Sequence, residues 1–226
     1  MLKFFLLTLF TCLFFCANII ASEIKYDASV VPKNMTTKEK KKRFYALVVP
    51  NVDKIYKEQY KLFLDTKDDI KEHKNRVKIE LLKKRYKARS DLDLLMAIKP
   101  HPRSIAIAQA AMESAWGTSR FFREANNIFG VWSANIKEDR VKAAEQRKTG
   151  KQIWLRKFKT LEESVREYYL MIARVKDYKE FRKIRYESYD LFEMVKALHV
   201  YSEKKHDYSK ELMSIIKYNN LTKYDK

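Results

Sequence analysis

Glycine is nearly missing from this chain, with 3 in 226 residues, and proline stands at only 4. Sandwiches and barrels built from many short strands need the tight turns these residues supply, so their scarcity predicts a mainly helical protein. Cysteine is sparser still. Both cysteines, Cys12 and Cys16, fall in an apolar leader. The rest of the chain therefore lacks the means for disulfides, thiolate zinc sites or a thiol nucleophile. Acidic residues are outnumbered, with Lys+Arg at 48 against Asp+Glu at 29 and a formal charge of +19. That imbalance favours an anionic partner: nucleic acid, an acidic membrane surface or an acidic polymer. A hydrophobic share of 46% excludes a chain disordered by composition.

The first residues narrow the choice. Met1-Leu2-Lys3 carries one positive charge, Phe4 to Cys16 is an almost unbroken apolar run, and Ala17 to Ser22 ends in small residues. This is the layout of a secretory signal peptide over residues 1–22. The alternative is an uncleaved membrane anchor, since Leu2 to Ala21 is long enough to span a bilayer. Either reading predicts an exported protein of the periplasm or cell envelope. No nucleic-acid partner is then expected, and the wall polymer and the acidic membrane surface become the anionic candidates.

Residues 23–90 read as an N-terminal helical region with a short extended lead-in. From Thr37 the pattern is helical: Phe44, Leu47 and Val48 share a face, Pro50 is expected to break the helix, and Val52, Ile55, Tyr56 and Phe63 resume it. Thr66 with Asp69 resembles a new helix start, followed by Ile70, Val77, Leu81 and Leu82 on one face. The basic outer face from Lys38 to Arg43 reads as solvated surface, or as a tether to wall or membrane.

Composition changes at Lys99-Pro100-His101-Pro102. The run from Ile105 to Trp116 is apolar nearly all round, which predicts a helix buried at the centre of its domain. Gly117 suits a left-handed stop, and Thr118 or Ser119 a new helix start. Two polar groups interrupt this helix, Gln109 and Glu113, four residues apart on one face. Burying a carboxylate costs several kcal/mol unless it is paired or protonated. Desolvation raises its pKa, the condition for a general acid near neutrality. The other reading is a core ion pair with an arginine.

Beyond it, Ile153 to Phe158 alternate with period two and are expected to pair with about 141–146 as a hairpin, the one good β signal in the chain. Thr160 with Glu163 forms a capping box opening a helix with Leu161, Val165, Tyr168, Ile172 and Val175 on one face. Asp190 with Glu193 opens another, and a last helix starts near Asp207. The four histidines, His73, His101, His199 and His206, are scattered without metal-ligand spacing, so no metal and no cofactor is implied.

The stretch Ala108-Gln-Ala-Ala-Met-Glu113-Ser-Ala-Trp-Gly-Thr-Ser119, followed by Asn126-Asn-Ile-Phe-Gly130, resembles the catalytic core of bacterial glucosaminidases of glycoside hydrolase family 73. The likeness extends to Arg156-Lys-Phe158 with Glu162 to Val165, and to Leu198-His-Val-Tyr-Ser-Glu203 with Tyr208. Within that family the chain is similar to the Bax-type proteins, whose Lys-rich start and aromatic-Leu-Pro segment match Lys40 to Pro50. The resemblance implies a lysozyme-like α+β fold, predominantly α-helical, over residues 91–226. It also implies a protein that binds peptidoglycan glycan strands and hydrolyses the β-1,4 bond on the N-acetylglucosaminyl side; a monomer is expected.

By the same resemblance Glu113 matches the general acid. The second carboxylate belongs on the hairpin, where Glu145 occupies the matching stretch and Glu138 and Asp139 compete. If the substrate's N-acetyl group is the nucleophile, no second carboxylate is needed. Trp116, Phe129 and Trp132 offer flat faces for sugar rings, or else belong to the core. Tyr201 and Tyr208 match tyrosines lining the family's groove, and Asn127 is either a substrate ligand or a structural turn residue. A non-catalytic wall-binding scaffold and a lytic transglycosylase, which works with a single Glu, remain alternatives.

Overall fold

The structure, a computed structural model, describes residues 25–146, 152–201 and 206–226; the side chains of residues 144–146 and of His206 also lie outside the description. The leader read at residues 1–22 is outside the described residues. Among those described, the order is α1 (Thr37–Lys71), α2 (Arg76–Tyr86), α3 (Asp91–Ile98), α4 (Arg103–Glu113), α5 (Arg120–Ala125), β1 (Arg140–Gln146), β2 (Gln152–Arg156), α6 (Leu161–Arg174), α7 (Lys179–Glu187), α8 (Leu191–Ala197) and α9 (His206–Tyr218). This is the mainly helical α+β architecture with one small hairpin that glycine scarcity and the period-two signal predict. None of the described helices is long and apolar enough to cross a membrane.

Helix α4 is the axis. Every residue from Ser104 to Ala111 is buried, and its alanines let α1 and α9 pack closely against it. Phe44, Val48, Val52 and Ile55 of α1 share one core with Ile105 to Ala111, with Val165, Tyr168 and Ile172 of α6, and with Tyr208, Leu212 and Ile216 of α9. A second cluster joins Phe63 of α1 to Ile79 and Tyr86 of α2 and to Leu94, Leu95 and Ile98 of α3.

Two expectations for the N-terminal region fail. Pro50 does not break the helix: α1 runs through it for 35 residues. The proline removes one backbone donor, and the adjacent Asn51 side chain donates to the Leu47 carbonyl at 2.7 Å. Val48 and Val52, fully buried on either side, hold the turn by packing rather than by propensity. Thr66 likewise starts no helix. It is a buried residue inside α1, which ends at Lys71, and the next helix begins at Arg76. Of the face drawn through Ile70, Val77, Leu81 and Leu82, Val77 and Leu81 are consequently in solvent, at 77% and 61% exposed, while Ile70 and Leu82 pack against the cluster that holds Ile79 and Tyr86.

The remaining boundaries follow their capping chemistry. Ser119, Thr160 and Asp190 each accept a backbone N–H at the start of α5, α6 and α8. At α6 the box is only half closed, because Glu163 accepts from the Lys159 amide instead of reaching the Thr160 amide. The hairpin pairs Val141 with Leu155 and Lys142 with Trp154. Its register then slips, so that Gln146 faces Gln152. Trp132 adds an isolated antiparallel bridge to Leu155.

Candidate active site

Helix α4 ends on Glu113 for a local reason. Ser114 returns its hydroxyl to the Ala110 carbonyl, and the Gly117 amide donates to that same hydroxyl at 2.8 Å. Ala115, Trp116 and Gly117 follow with φ of 50°, 60° and 72°. Three successive left-handed residues reverse the chain, at about 1–2 kcal/mol for each residue that is not glycine. At Gly117 a β-carbon would meet Phe122 at 3.3 Å. Its carbonyl is held at 2.8 Å by buried Arg43, which also donates to the carbonyls of Asp27 and Ala28. Helix α1 thus braces the turn that fixes the Glu113 backbone.

Glu113 itself is half-buried. Tyr208 of α9 donates its phenol to Glu113 Oε1 at 3.2 Å. Behind it, fully buried Gln109 donates Nε2 to the Tyr208 oxygen at 2.8 Å and accepts at Oε1 from Tyr168 of α6. Tyr168 meets Nε2 of His101 at 3.0 Å. The i, i+4 spacing of Gln109 and Glu113 therefore places both groups against one tyrosine. Burial, followed by the charge of Glu113, pushes the phenols of Tyr208 and Tyr201 well above their ordinary range. Both stay protonated donors at neutral pH.

The other residues singled out in the sequence divide. Tyr201 stacks on Tyr208 with centroids 5.5 Å apart and donates to the Phe129 carbonyl at 3.2 Å, so both tyrosines gather beside Glu113. Phe129 is buried and stacked on Tyr168 at 4.0 Å, which places it in the core. Asn127 is buried too. Its amide donates to the carbonyls of Val131 and Arg156 and accepts from the Val131 amide, shaping the loop into the hairpin. Trp116 turns its ring toward Phe44 and Tyr45 of α1, under the Lys41 ammonium. Trp132 is 57% exposed at the hairpin edge.

On the hairpin side Glu138 accepts from Ser133 at 2.8 Å and pairs with Arg156 at 3.2 Å. Arg156 also reaches Glu167. Asp139 is exposed. Glu145 lies within β1, and its side chain is outside the described residues. His101 is the member of the site that sequence reasoning overlooked: the scatter of histidines argued against metal and suggested nothing else. Only its position just ahead of a buried helix hinted at burial. No group of three or more potential metal ligands occurs among the described residues. A cavity of about 1060 Å³ lies between α8 and α9, lined by Phe192, Val195, Met213 and Tyr218 with Lys196 and Lys217; Glu113 is not part of its lining.

Three comparisons place these features. A family model described as "Glucosaminidase: Mannosyl-glycoprotein endo-beta-N-acetylglucosaminidase" matches residues 90–221. Among solved structures, the catalytic domain of the autolysin Auto from Listeria monocytogenes is 20% identical, with a TM-score of 0.51 over 84% of this chain and 90% of that one. The glycoside hydrolase domain of FlgJ from Salmonella typhimurium is 21% identical, with a TM-score of 0.43 over 63% and 90% of the two chains. A peptidoglycan hydrolase from Sphingomonas sp. A1 is 20% identical, with a TM-score of 0.45 over 57% and 86%. No curated protein matches the chain.

Proposed function

Because this chain belongs to the glucosaminidase family, with the lysozyme-like α+β fold seen in the Listeria autolysin domain, we propose that it is a peptidoglycan hydrolase. It cleaves the β-1,4 bond on the N-acetylglucosaminyl side of the glycan strand as an endo-β-N-acetylglucosaminidase. The observation that carries this reading is Glu113: a half-buried carboxyl at the end of a buried helix, with a phenol donor on one oxygen.

The chemistry follows from those surroundings. Protonated Glu113 delivers its proton to the glycosidic oxygen, the C1–O bond breaks, and positive charge spreads over the ring oxygen and C1. The Glu113 carboxylate left behind is stabilised by the Tyr208 donor. Water then adds at C1 and loses its proton to Glu145 or, after attack by the substrate's own N-acetyl oxygen, to Glu113. Glu138 is a poor candidate for that second role, since Arg156 and Ser133 already engage both of its oxygens. No cofactor enters this scheme.

We read residues 91–226 as the hydrolase, with the helical region at 23–90 buttressing it through Arg43 and the α1 core residues. The apolar leader supports action in the periplasm or cell envelope, and we take the protein to act there as a monomer. The +19 charge supports attraction to the anionic wall or to an acidic membrane surface. Digestion of purified peptidoglycan, with mass analysis of the fragments, tests the reading. Reducing N-acetylglucosamine ends are expected. Anhydromuramic ends would make the protein a lytic transglycosylase, and no release at any pH would leave a wall-binding scaffold.

A further inference from the structure

Donor counting fixes a direction in the buried chain behind Glu113. Gln109 has one acceptor oxygen and one amide nitrogen, and it spends them on different tyrosines: Nε2 donates to Tyr208 and Oε1 accepts from Tyr168. A phenol has a single proton. Tyr168 gives its proton to Gln109 and so can only accept from His101, which requires the proton of that imidazole to sit on Nε2. His101 Nδ1 has no partner among the described residues, which suits a bare nitrogen better than an N–H. Tyr208, filled from behind by Gln109, has its proton left for Glu113 Oε1. Every donor in the chain points from the core to the carboxylate.

The opposite direction would bury an N–H at His101 Nδ1 without a partner among the described residues. If Gln109 turned its amide over and His101 took the other tautomer, Tyr168 would donate to His101 and Tyr208 to Gln109. Glu113 would then have to donate its own proton inward to the Tyr208 oxygen. We propose that His101, Tyr168 and Gln109 are positioning residues that hold the chain in the outward direction. They keep Tyr208 a donor to Oε1, so that the carboxylate formed by proton transfer finds a hydrogen-bond donor already in place. This rests on the reading of Glu113 as the general acid. Burial enforces the arrangement: His101 and Gln109 are inaccessible to solvent, and His101 is clamped by stacking on Tyr169 at 4.5 Å and by the edges of Tyr168 and Phe181. Water cannot replace a missing partner there.

The test combines kinetics with a measurement independent of turnover. On purified peptidoglycan, Tyr208→Phe should lower kcat by about tenfold or more with KM nearly unchanged, the effect of losing a donor that acts mainly in the transition state. Tyr168→Phe, which touches no substrate, should lower kcat by a similar factor. In the Tyr208→Phe background it should add less than about twofold, because both changes act through one bond. Multiplying losses in the double variant, or an unaffected kcat for Tyr168→Phe in an active enzyme, would overturn the proposal. Nitrogen-15 spectra of the wild-type protein give the second readout. His101 is expected with Nε2 protonated and Nδ1 bare, and the reverse tautomer overturns the outward direction whether or not any variant folds. A wild type that releases no fragments, with His101 in the expected tautomer, would instead defeat the hydrolase reading.

Discussion

The helical side and the hairpin side of this molecule are held together by different forces. Behind Glu113 the polar side chains are buried and hydrogen-bonded in series: His101, Tyr168, Gln109 and Tyr208 form a single line through a core of fully buried aliphatic residues. On the hairpin, order comes from charge. Glu138, Arg156 and Glu167 form a network about one-third exposed, beside a Trp132 and an Ile136 that are 57% and 78% exposed. Glu113, the proposed acid, thus sits on the side that packing makes rigid. Glu145, the proposed second carboxylate, lies in β1, on the side that salt and solvent can adjust.

The largest test of that contrast is a matched pair of truncations. Ile107→Ala, inside α4, should cost about 2–5 kcal/mol in denaturant unfolding. Ile136→Ala, on the hairpin approach, should stay within about 0.5 kcal/mol. Similar losses at the two sites would break the comparison.

Next comes pH. Burial, reinforced by the nearby Arg185 guanidinium, holds the His101 imidazole well below its ordinary pKa. The unfolded chain therefore binds a proton that the native state refuses. Stability from this group is intact above about pH 6.5 and falls with acidification by up to about 1.4 kcal/mol per pH unit until the native value is reached. Unfolding of wild type and His101→Gln followed from about pH 7 to about pH 5 should show this slope in the wild type only. Parallel slopes would mean that the imidazole is not dry.

Gly117→Ala forces a side chain into the left-handed region and against Phe122, and should cost about 1–2 kcal/mol. Activity should fall with it, because this turn fixes the Glu113 backbone. The smallest effect belongs to the hairpin: Arg156→Gln should destabilise by less than about 1 kcal/mol, and the difference should shrink as salt rises.

The sequence revealed the rigid side far better than the adaptable one. Periodicity and the all-round apolar run located α4 and its burial, since a helix without a polar face has nowhere else to go. Short-range signals at Ser119, Thr160 and Asp190 located helix starts because the cap is a local bond. Pro50 and Thr66 misled for the opposite reason, since tertiary packing of Val48, Val52 and Phe63 overrode the local preference. Within the site, Gln109 and Glu113 were visible as polar breaks in an apolar face. Asn127 and Phe129 are buried, one bonded to the loop into the hairpin and the other stacked on Tyr168, a placement that no local pattern reveals. The line from His101 to Tyr208 joins residues 101, 168, 109 and 208, and that pairing exists only after folding.

The account stands on Glu113 giving up a proton to a sugar oxygen, and Glu113→Gln measures that directly. The amide keeps the shape and the Tyr208 contact but carries no acidic proton, so kcat on purified peptidoglycan should drop by about 10²–10⁴-fold while the melting temperature moves by only a few degrees. Turnover close to wild type would contradict the account, as would a loss of activity explained by a large fall in melting temperature.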